Sequence, residues 1–274
     1  LRQTYHNWNW WVLDDSSDDN TSVRDTLTGF NDFRINIIKN VSFHGSIGYN
    51  KHMIASVCDG DFLVEIDHDD ELTDNCLEKI WKAWKKYPDA DFFYSHTFEE
   101  VDGHLLDYGD YFALGLGTHE TFNINGVPQM VCTTPDVNAL STRHIVALPN
   151  HVRCWRKDFY HKIGGHNTEL SVLDDMDILI RTFLNGKMCK INDVLYIQHE
   201  GTQKNGGRGS TTQTYRMGEI WRVGVILKHR YDKEIHQRLI DLGVEDVCWK
   251  EDEERSDLYC NPQGLVSLNY TYDE

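Results

Sequence analysis

The chain of 274 residues contains no apolar run approaching the about 18 to 20 residues that a bilayer crossing needs. This absence excludes a membrane span in this stretch. The chain is also poor in basic residues, with 27 Lys plus Arg against 44 Asp plus Glu and a formal net charge of −17. A field of that sign repels phosphate backbones and anionic lipid surfaces. We therefore expect no nucleic-acid partner.

The seven cysteines are widely scattered and form no C-x-x-C pair, which excludes a zinc knuckle or a dithiol redox site of that type. We expect free thiols in a reducing compartment, and hence a cytoplasmic location. The N-terminal residues Leu1 to Thr4 show neither an initiator methionine nor a basic and then apolar leader. Targeting information is therefore expected to be absent or to lie in residues that this sequence does not include.

What the chain does contain is enough apolar material for a core, with 40% hydrophobic and 12% aromatic residues. Buried strands are predicted at 8–13, 35–38, 62–66 and 91–95, and a helix at 48–58. The clearest helix places Leu77, Ile80, Trp81 and Trp84 on one stripe, and Pro88 closes it. Alternating strands and helices predict an α/β fold with a mostly parallel central sheet and flanking helices.

The second half of the chain is less regular. Asp102-Gly103 predicts a hairpin turn at 100–105, and residues 106–150 carry no clear pattern. Helices are predicted at 156–163 and 175–184, a strand pair at 188–198, and a long helical segment at 211–242. We expect one domain at 1–210, followed at 211–274 by a helical extension and an acidic tail that begins at Glu251.

Two pairs of acids follow predicted strands. Asp14-Asp15 ends the first strand, and Asp67-x-Asp69 ends the central one, where an extended backbone would aim both side chains the same way. Ligands of open α/β sheets bind beyond the carboxyl ends of the strands. Carboxylates at this spacing suit Mg²⁺ or Mn²⁺. The alternative is an acidic turn and helix entrance, with Thr73 or Asp74 as the N-cap.

Electrostatics adds a condition to this site. An acidic pocket repels a nucleotide diphosphate unless a cation bridges the two, so a donor of that kind would require a divalent metal. The metal would also neutralise the departing diphosphate.

Two further groups have both a chemical and a structural interpretation. The acids of Asp174-Asp175-Met176-Asp177 stand at the start of an apolar helix, where they either cap it or provide a general base. His199 follows a strand and either ligates a metal or is a structural group.

Cationic groups are candidates for the donor side. We assign Lys51, on the helix predicted at 48–58, and Arg208 to donor binding. Arg208 belongs to a Gly-rich loop that either closes over a diphosphate or is an ordinary linker. Arg153 and His151 are expected to border the acceptor groove, together with Trp155, which is equally compatible with the core.

Four motifs, in order over residues 3–200, resemble family-two GT-A glycosyltransferases. The first is Q-T-Y-H-N-W at 3–8, leading into V-L-D-D-S-S-D-D at 12–19. The second, G-D-F-L-V-E-I-D-H-D-D-E-L at 60–72, is similar to the metal motif of the family. The others are I-G-G-H-N at 163–167 and D-D-M-D-I-L-I-R at 174–181.

The resemblance implies a GT-A, Rossmann-like fold and an inverting, metal-dependent glycosyl transfer. The donor would be a nucleotide-diphosphate sugar, with UDP as the expected carrier. The cofactor would be Mn²⁺ or Mg²⁺, and the acceptor a hydroxyl of a glycan, lipid or protein. By the same resemblance, Asp14 and Asp15 hold the base and ribose, and Asp67 and Asp69 belong to the metal and diphosphate site. Asp175 matches the catalytic base, and His199 matches a further metal ligand of some members.

The chain departs from the family pattern at several points. The strand and helix that precede Q-T-Y in the family are absent, Asp174 replaces a glutamate, and His166-Asn167 replaces Phe-Asp. Two rival functions stay open. One is a non-catalytic nucleotide-sugar-binding protein of the same fold. The other is a metal-dependent phosphohydrolase, for which the sequence lacks a convincing nucleophile context.

Overall fold

A computed structural model describes residues 1–16, 22–41, 45–101, 104–105, 118–138, 141–142, 145, 147–200, 209–241 and 270–273. The loop that carries Arg208 and the acidic tail from Glu251 lie outside these residues. Among the described residues, no helix combines the length and apolar character that a bilayer crossing requires.

Strands and helices alternate through the first part of the chain, as the sequence predicts. The elements are β1 (Trp10–Asp14), α1 (Ser22–Thr28), β2 (Ile35–Lys39), α2 (Ile47–Val57), β3 (Phe62–Glu65), β4 (Glu71–Leu72), α3 (Cys76–Lys86), β5 (Phe92–Val101) and β6 (His104–Leu105). The pairing of β5 with β6 confirms the predicted hairpin at 100–105.

The second part of the chain adds strands to the same architecture and ends in a long helix. Its elements are β7 (His119–Ile124), β8 (Val127–Cys132), β9 (Arg153–Arg156), α4 (Lys157–Lys162), α5 (Asp174–Asn185), β10 (Met188–Glu200), α6 (Gly209–Asp241) and β11 (Tyr270–Tyr272). Within the unassigned stretch 106–150, β7 and β8 form an antiparallel hairpin. The strand pair expected at 188–198 is one continuous strand, β10.

Seven of the described strands form one large mixed sheet in the order β11-β10-β5-β9-β3, with β4 on β10 and β6 on β5. A separate parallel pair joins β1 to β2. The α/β class with a central sheet and flanking helices is confirmed. The pairing is mixed rather than mostly parallel, because β9 runs antiparallel to both of its neighbours, β3 and β5.

The two faces of the sheet bury different helices, since alternate strand residues point to opposite sides. Phe92 and Tyr94 of β5 pack in one cluster with apolar side chains of α5 and α6. Phe93, between them, packs in a second cluster with residues of α3. The helices therefore cover both faces, and α6 joins the core through Leu227 and Tyr231.

The N-terminal segment is fastened to the start of α3. The N-cap of this helix is Asn75, which makes no capping side-chain hydrogen bond, so the expectation of Thr73 or Asp74 is wrong. The cap instead comes from Gln3, whose Oε1 accepts the Leu77 amide at 3.0 Å while its Nε2 donates to the Thr73 carbonyl at 2.7 Å. A distant glutamine thus satisfies a backbone donor that the helix itself cannot.

A buried histidine makes the stability of this fold pH-dependent. Burial lowers the pKa of His96 to about 4, and the ring bonds the Thr134 amide at 2.9 Å and Asn192 Oδ1 at 2.8 Å. Because the unfolded ring ionises near 6.5, the unfolded chain binds the extra proton between pH 6.5 and 4. The stability contributed by neutral His96 is therefore complete above pH 6.5 and is lost as the pH falls through this window.

We predict that His96→Gln, which keeps a donor and an acceptor, loses less stability on acidification than the natural chain. Between pH 7 and pH 5 the difference should be about 2 kcal/mol in the free energy of unfolding. Denaturant titrations at both pH values measure it. An equal loss in the two proteins would show that His96 does not titrate in the folded state as its burial requires.

Candidate active site

Charged side chains from two strands of the central sheet and from two helices beside it lie close together. Glu65 is the last residue of β3, and it is the direct cross-strand neighbour of Arg153, the first residue of β9. Lys51 reaches the same place from α2, and Asp174 and Asp175 from the first turn of α5. Four elements therefore supply one site.

Glu65 is the centre of this group, and its side chain is only 9% exposed. It is ion-paired with the Lys51 ammonium, and its Oε1 lies 3.2 Å from His151 Nε2 and 3.6 Å from Arg153 Nη1. Burial alone would raise the pKa of Glu65, but the attraction of Lys51 and the other cations outweighs it and holds the pKa well below the usual value. Glu65 is thus a fixed negative charge.

Lys51 is the permanent counter-charge of this carboxylate. Burial would lower the pKa of the ammonium, but Glu65, Asp67 and Asp174 together raise it above its ordinary value. Its Nζ also lies 3.6 Å from Asp67 Oδ1. The structure therefore places Lys51 beside the first acid of the D-x-D pair, although the sequence assigned it to donor binding without naming a partner.

Asp67 is partly open to solvent, with 39% of its side chain exposed. Its Oδ2 lies 3.8 Å from His151 Nε2, and Glu65, Asp67 and His151 offer ligand atoms within 4.8 Å of one another. This is the group of potential metal ligands found among the described residues, and it contains Asp67 but neither Asp69 nor His199. Glu65 Oε2 in this group is buried without a hydrogen-bond partner.

Asp69 occupies a turn rather than an extended strand. Strand β3 ends at Glu65, and the Asp70 amide donates to the Asp67 carbonyl at 3.3 Å, so the expected strand alternation of Asp67 and Asp69 does not hold. Asp69 is 53% exposed, with its Oδ1 3.5 Å from His68 Nδ1. The turn therefore presents Asp69 to solvent.

The end of β10 holds this turn in place. Asp70 Oδ2 accepts the Tyr196 hydroxyl at 2.8 Å, and Asp70 Oδ1 accepts the His199 amide at 2.9 Å. The Tyr196 hydroxyl also accepts the Asp67 amide at 3.0 Å. The His199 ring lies with its Nε2 3.2 Å from Glu71 Oε1. His199 is thus adjacent to the acidic turn but outside the Glu65, Asp67 and His151 group.

Asp175 lies on the other side of Arg153 and is 29% exposed. Its Oδ1 accepts the Met176 amide at 2.8 Å, and its Oδ2 lies 3.4 Å from both Nη1 and Nη2 of Arg153. The carboxylate thus accepts an amide of the first helical turn and also contacts the guanidinium of Arg153. The structural and the functional interpretation of this motif therefore do not exclude each other.

Its neighbour Asp174 has a different environment. This side chain is 6% exposed, and burial raises its pKa to about 6. His166 Nε2 lies 3.8 Å from Asp174 Oδ2 and 3.7 Å from Glu65 Oε2, and burial lowers the pKa of His166 to about 4. Of the two consecutive acids, Asp175 is the more exposed, at 29% against 6% for Asp174.

A glycine permits the close approach of α2 to this site. A Cβ on Gly48 would lie 2.5 Å from the Asn167 carbonyl oxygen and 3.0 Å from Asp174 Cβ. Any larger residue would push α2 away from the segment before α5. Lys51, one helical turn after Gly48, depends on this approach to reach Glu65.

Asp14 and Asp15 form a second polar group after β1. Asp14 Oδ1 accepts the Ser16 amide at 3.0 Å and the Ser16 hydroxyl, and its Oδ2 lies 3.3 Å from Lys39 Nζ. Burial would raise the pKa of Asp14, but the hydrogen bonds from Ser16 and Lys39 outweigh it and lower the pKa. Asp14 is therefore held ionised at the end of β1.

Asp15 is held equally firmly. Its Oδ1 accepts the Asn40 amide group at 2.8 Å, and its Oδ2 accepts the Gly45 amide at 2.7 Å and the Asn50 side chain at 2.8 Å. It thereby connects the ends of β1 and β2 to α2, the helix that carries Lys51.

The expectations for the acceptor side had mixed outcomes. Arg153 and His151 lie in the charged site, whereas Trp155 is a core residue, 1% exposed, whose Nε1 donates to Thr182 Oγ1 at 2.9 Å. Sequence reasoning missed Glu65 and His166. The signal for Glu65 was present, since a glutamate in the apolar run Phe62 to Ile66 is costly unless cations compensate it.

Known proteins match this architecture. Residues 1–134 match the model of the family Glycosyl transferase family 2. WcaA of Escherichia coli (strain K12), named as a glycosyl transferase of colanic acid biosynthesis, is 26% identical over 200 residues, covering 73% of this chain and 64% of its own length. The chain thus spans less than two thirds of this relative.

Solved structures agree on the fold. The crystal structure of S. aureus TarS 1–349 has a TM-score of 0.57 at 14% identity, covering 88% of this chain and 65% of TarS 1–349. The same TarS fragment in complex with UDP-GlcNAc also gives a TM-score of 0.57, over 88% of this chain and 66% of that one. Together with the motif order and the sheet, these matches show that the chain has the GT-A fold, and the match to glycosyl transferase family 2 covers its residues 1–134.

Proposed function

We propose that this chain transfers a sugar from a nucleotide-diphosphate donor, a UDP-sugar, to an acceptor hydroxyl with inversion at the anomeric carbon. The observation that carries the proposal is the shared charge network of the two partly exposed acids, Asp67 and Asp175. Lys51 and His151 connect Asp67 to Glu65, and Arg153 connects Asp175 to the same Glu65. In this proposal the donor site and the base therefore belong to one connected group of charges.

Asp175 acts as the base in this proposal. Its carboxylate takes the proton of the acceptor hydroxyl while the hydroxyl oxygen forms a bond to the anomeric carbon. The bond from that carbon to the diphosphate oxygen breaks, and the nucleoside diphosphate leaves with the electron pair. Attack from the side opposite the leaving group gives inversion. Asp174 is less suited, because its side chain is only 6% exposed and an acceptor hydroxyl would not reach it.

A divalent cation, Mn²⁺ or Mg²⁺, would supply charge neutralisation for the leaving diphosphate. The oxygen and nitrogen donors near Asp67 fit such an ion chemically. We propose that Asp67 and Asp69 hold it, with His199 beside their turn. The inner set of Glu65 and His151 is less suited, because Glu65 is already ion-paired with the Lys51 ammonium, which would repel a second cation there.

The remaining assignments concern the nucleoside and the acceptor. Asp14 and Asp15 are our proposed contacts to the ribose and base. Ser16 and Lys39 donate hydrogen bonds to Asp14, and Asn40 donates one to Asp15. Arg208 stays a proposed donor contact. The acceptor is a hydroxyl of a glycan, lipid or protein. We also propose a cytoplasmic location. Four cysteines of the described part are free thiols: Cys58, Cys76, Cys154 and Cys189.

Replacing the base should abolish turnover without unfolding the chain. We predict that Asp175→Asn lowers kcat by about 10² to 10⁴-fold, the usual contribution of a positioned general base. Affinity for UDP and the melting temperature should stay close to the natural values. Transfer is measured by release of UDP with a panel of acceptors, and UDP affinity by calorimetry.

Asp158→Asn, a change at an acid whose side chain is 72% exposed on α4, serves as the surface control and should leave kcat unchanged. Turnover of Asp175→Asn within threefold of the natural chain would contradict the proposed role. UDP binding by the natural chain without transfer to any acceptor would instead favour the binding-protein function.

The location of the metal can be tested by separating the outer acids from the inner set. We predict that Asp69→Ala removes most of the increase in UDP affinity that Mn²⁺ causes, because the ion loses one of its two carboxylates. His151→Gln should retain that increase. Calorimetric titration of UDP with and without Mn²⁺ measures both. The opposite pattern would place the ion among Glu65, Asp67 and His151.

A further inference from the structure

The guanidinium of Arg153 contacts both Asp175 and Glu65, and it therefore links the proposed base to the other charged groups of the site. We propose that Arg153 is a positioning residue that fixes the carboxylate of Asp175 relative to the donor site. This inference rests on the proposed function, since it assigns Asp175 the role of base. It goes beyond that function by naming the residue that determines the position and orientation of the Asp175 carboxylate.

The guanidinium itself has little freedom. The side chain is 3% exposed, and two backbone carbonyls hold it: Nε donates to Pro149 at 3.0 Å and Nη2 donates to Ala147 at 3.1 Å. The residue also begins β9, paired with β3 and β5, so its backbone is part of the central sheet. The backbone of Arg153 is therefore fixed by the sheet, and its guanidinium by two backbone carbonyls.

The contact with Asp175 completes the fixation of that carboxylate. Its Oδ1 is held by the Met176 amide within its own helix, and its Oδ2 faces both terminal nitrogens of Arg153 at 3.4 Å. With both oxygens held, the carboxylate plane is defined. Without Arg153, only the contact within the helix would remain among the described residues, and the side chain could rotate.

The same guanidinium also faces the donor side. Its Nη1 lies 3.6 Å from Glu65 Oε1, the carboxylate that pairs with Lys51. A planar group with five donors can make these contacts at once, whereas the single ammonium of a lysine cannot. Arg153 thus fixes the distance between the proposed base and the group of Glu65, Lys51 and Asp67. A displacement of a base by about 1 Å can cost about 10²-fold in rate.

Helix α5 offers a matched control for the loss of a buried arginine. Arg181 is ion-paired with Asp177 of the same helix, and it donates to two backbone carbonyls, those of Ile163 at 2.6 Å and Gly165 at 2.7 Å. It therefore has the same kind of partners as Arg153, but it contacts neither Asp175 nor Glu65 among its described partners. Replacing it reports the structural cost of such a change alone.

The experiment compares Arg153→Lys with Arg181→Lys in the full chain. For Arg153→Lys we expect kcat to fall about 10²-fold, with the KM for the donor and the Kd for UDP within about twofold of the natural values. Arg181→Lys should keep kcat within about threefold of the natural value, even if its melting temperature falls as much as that of Arg153→Lys. In Arg153→Ala, added guanidine should restore part of kcat, and in Arg181→Ala it should not.

Crystal structures of the two lysine variants give a readout that needs no turnover. We expect the Asp175 carboxylate to move in Arg153→Lys and to stay in place in Arg181→Lys. A chain that binds UDP but transfers no sugar would defeat the proposed function, and the structures would still decide the role of Arg153. An unmoved Asp175, equal kcat in both variants, or a raised donor KM with unchanged kcat would each overturn the inference.

Discussion

The charged site of this protein depends on a single buried carboxylate, that of Glu65. A carboxylate removed from water is strongly destabilising unless cations and hydrogen-bond donors compensate it. Lys51, Arg153 and His151 provide this compensation from α2 and from the start of β9. Because each of them also faces Asp67 or Asp175, the compensation of one charge fixes the geometry of the two acids that solvent reaches.

This arrangement gives neighbouring acids different properties. Asp174 and Asp175 are consecutive, yet one is buried with a raised pKa and the other lies partly exposed against a guanidinium. The separation follows from the first turn of α5, which directs Asp174 toward His166 and Asp175 toward Arg153. One helix start therefore supplies a buried acid and, in our proposal, the base.

Much of the fold could be predicted from periodicity, and much of the site from motifs. The apolar stripe of α3 and the run Phe62 to Ile66 have patterns that their environments explain. The sequence could not reveal that β9 inserts antiparallel between β3 and β5, because register is a long-range property. That register makes Arg153 the cross-strand neighbour of Glu65. The sequence contains both residues but could not predict that they pair, so it could not predict the centre of the site.

The most direct test of this account is a crystal structure of the chain with an uncleaved UDP-sugar analogue and Mn²⁺. The account predicts a diphosphate and its metal on the Asp67 and Asp69 side, with the anomeric carbon facing Asp175. It also predicts that the ion pairs of Glu65 with Lys51 and of Arg153 with Asp175 stay intact. A donor bound elsewhere, or a metal that displaces Lys51 from Glu65, would contradict it.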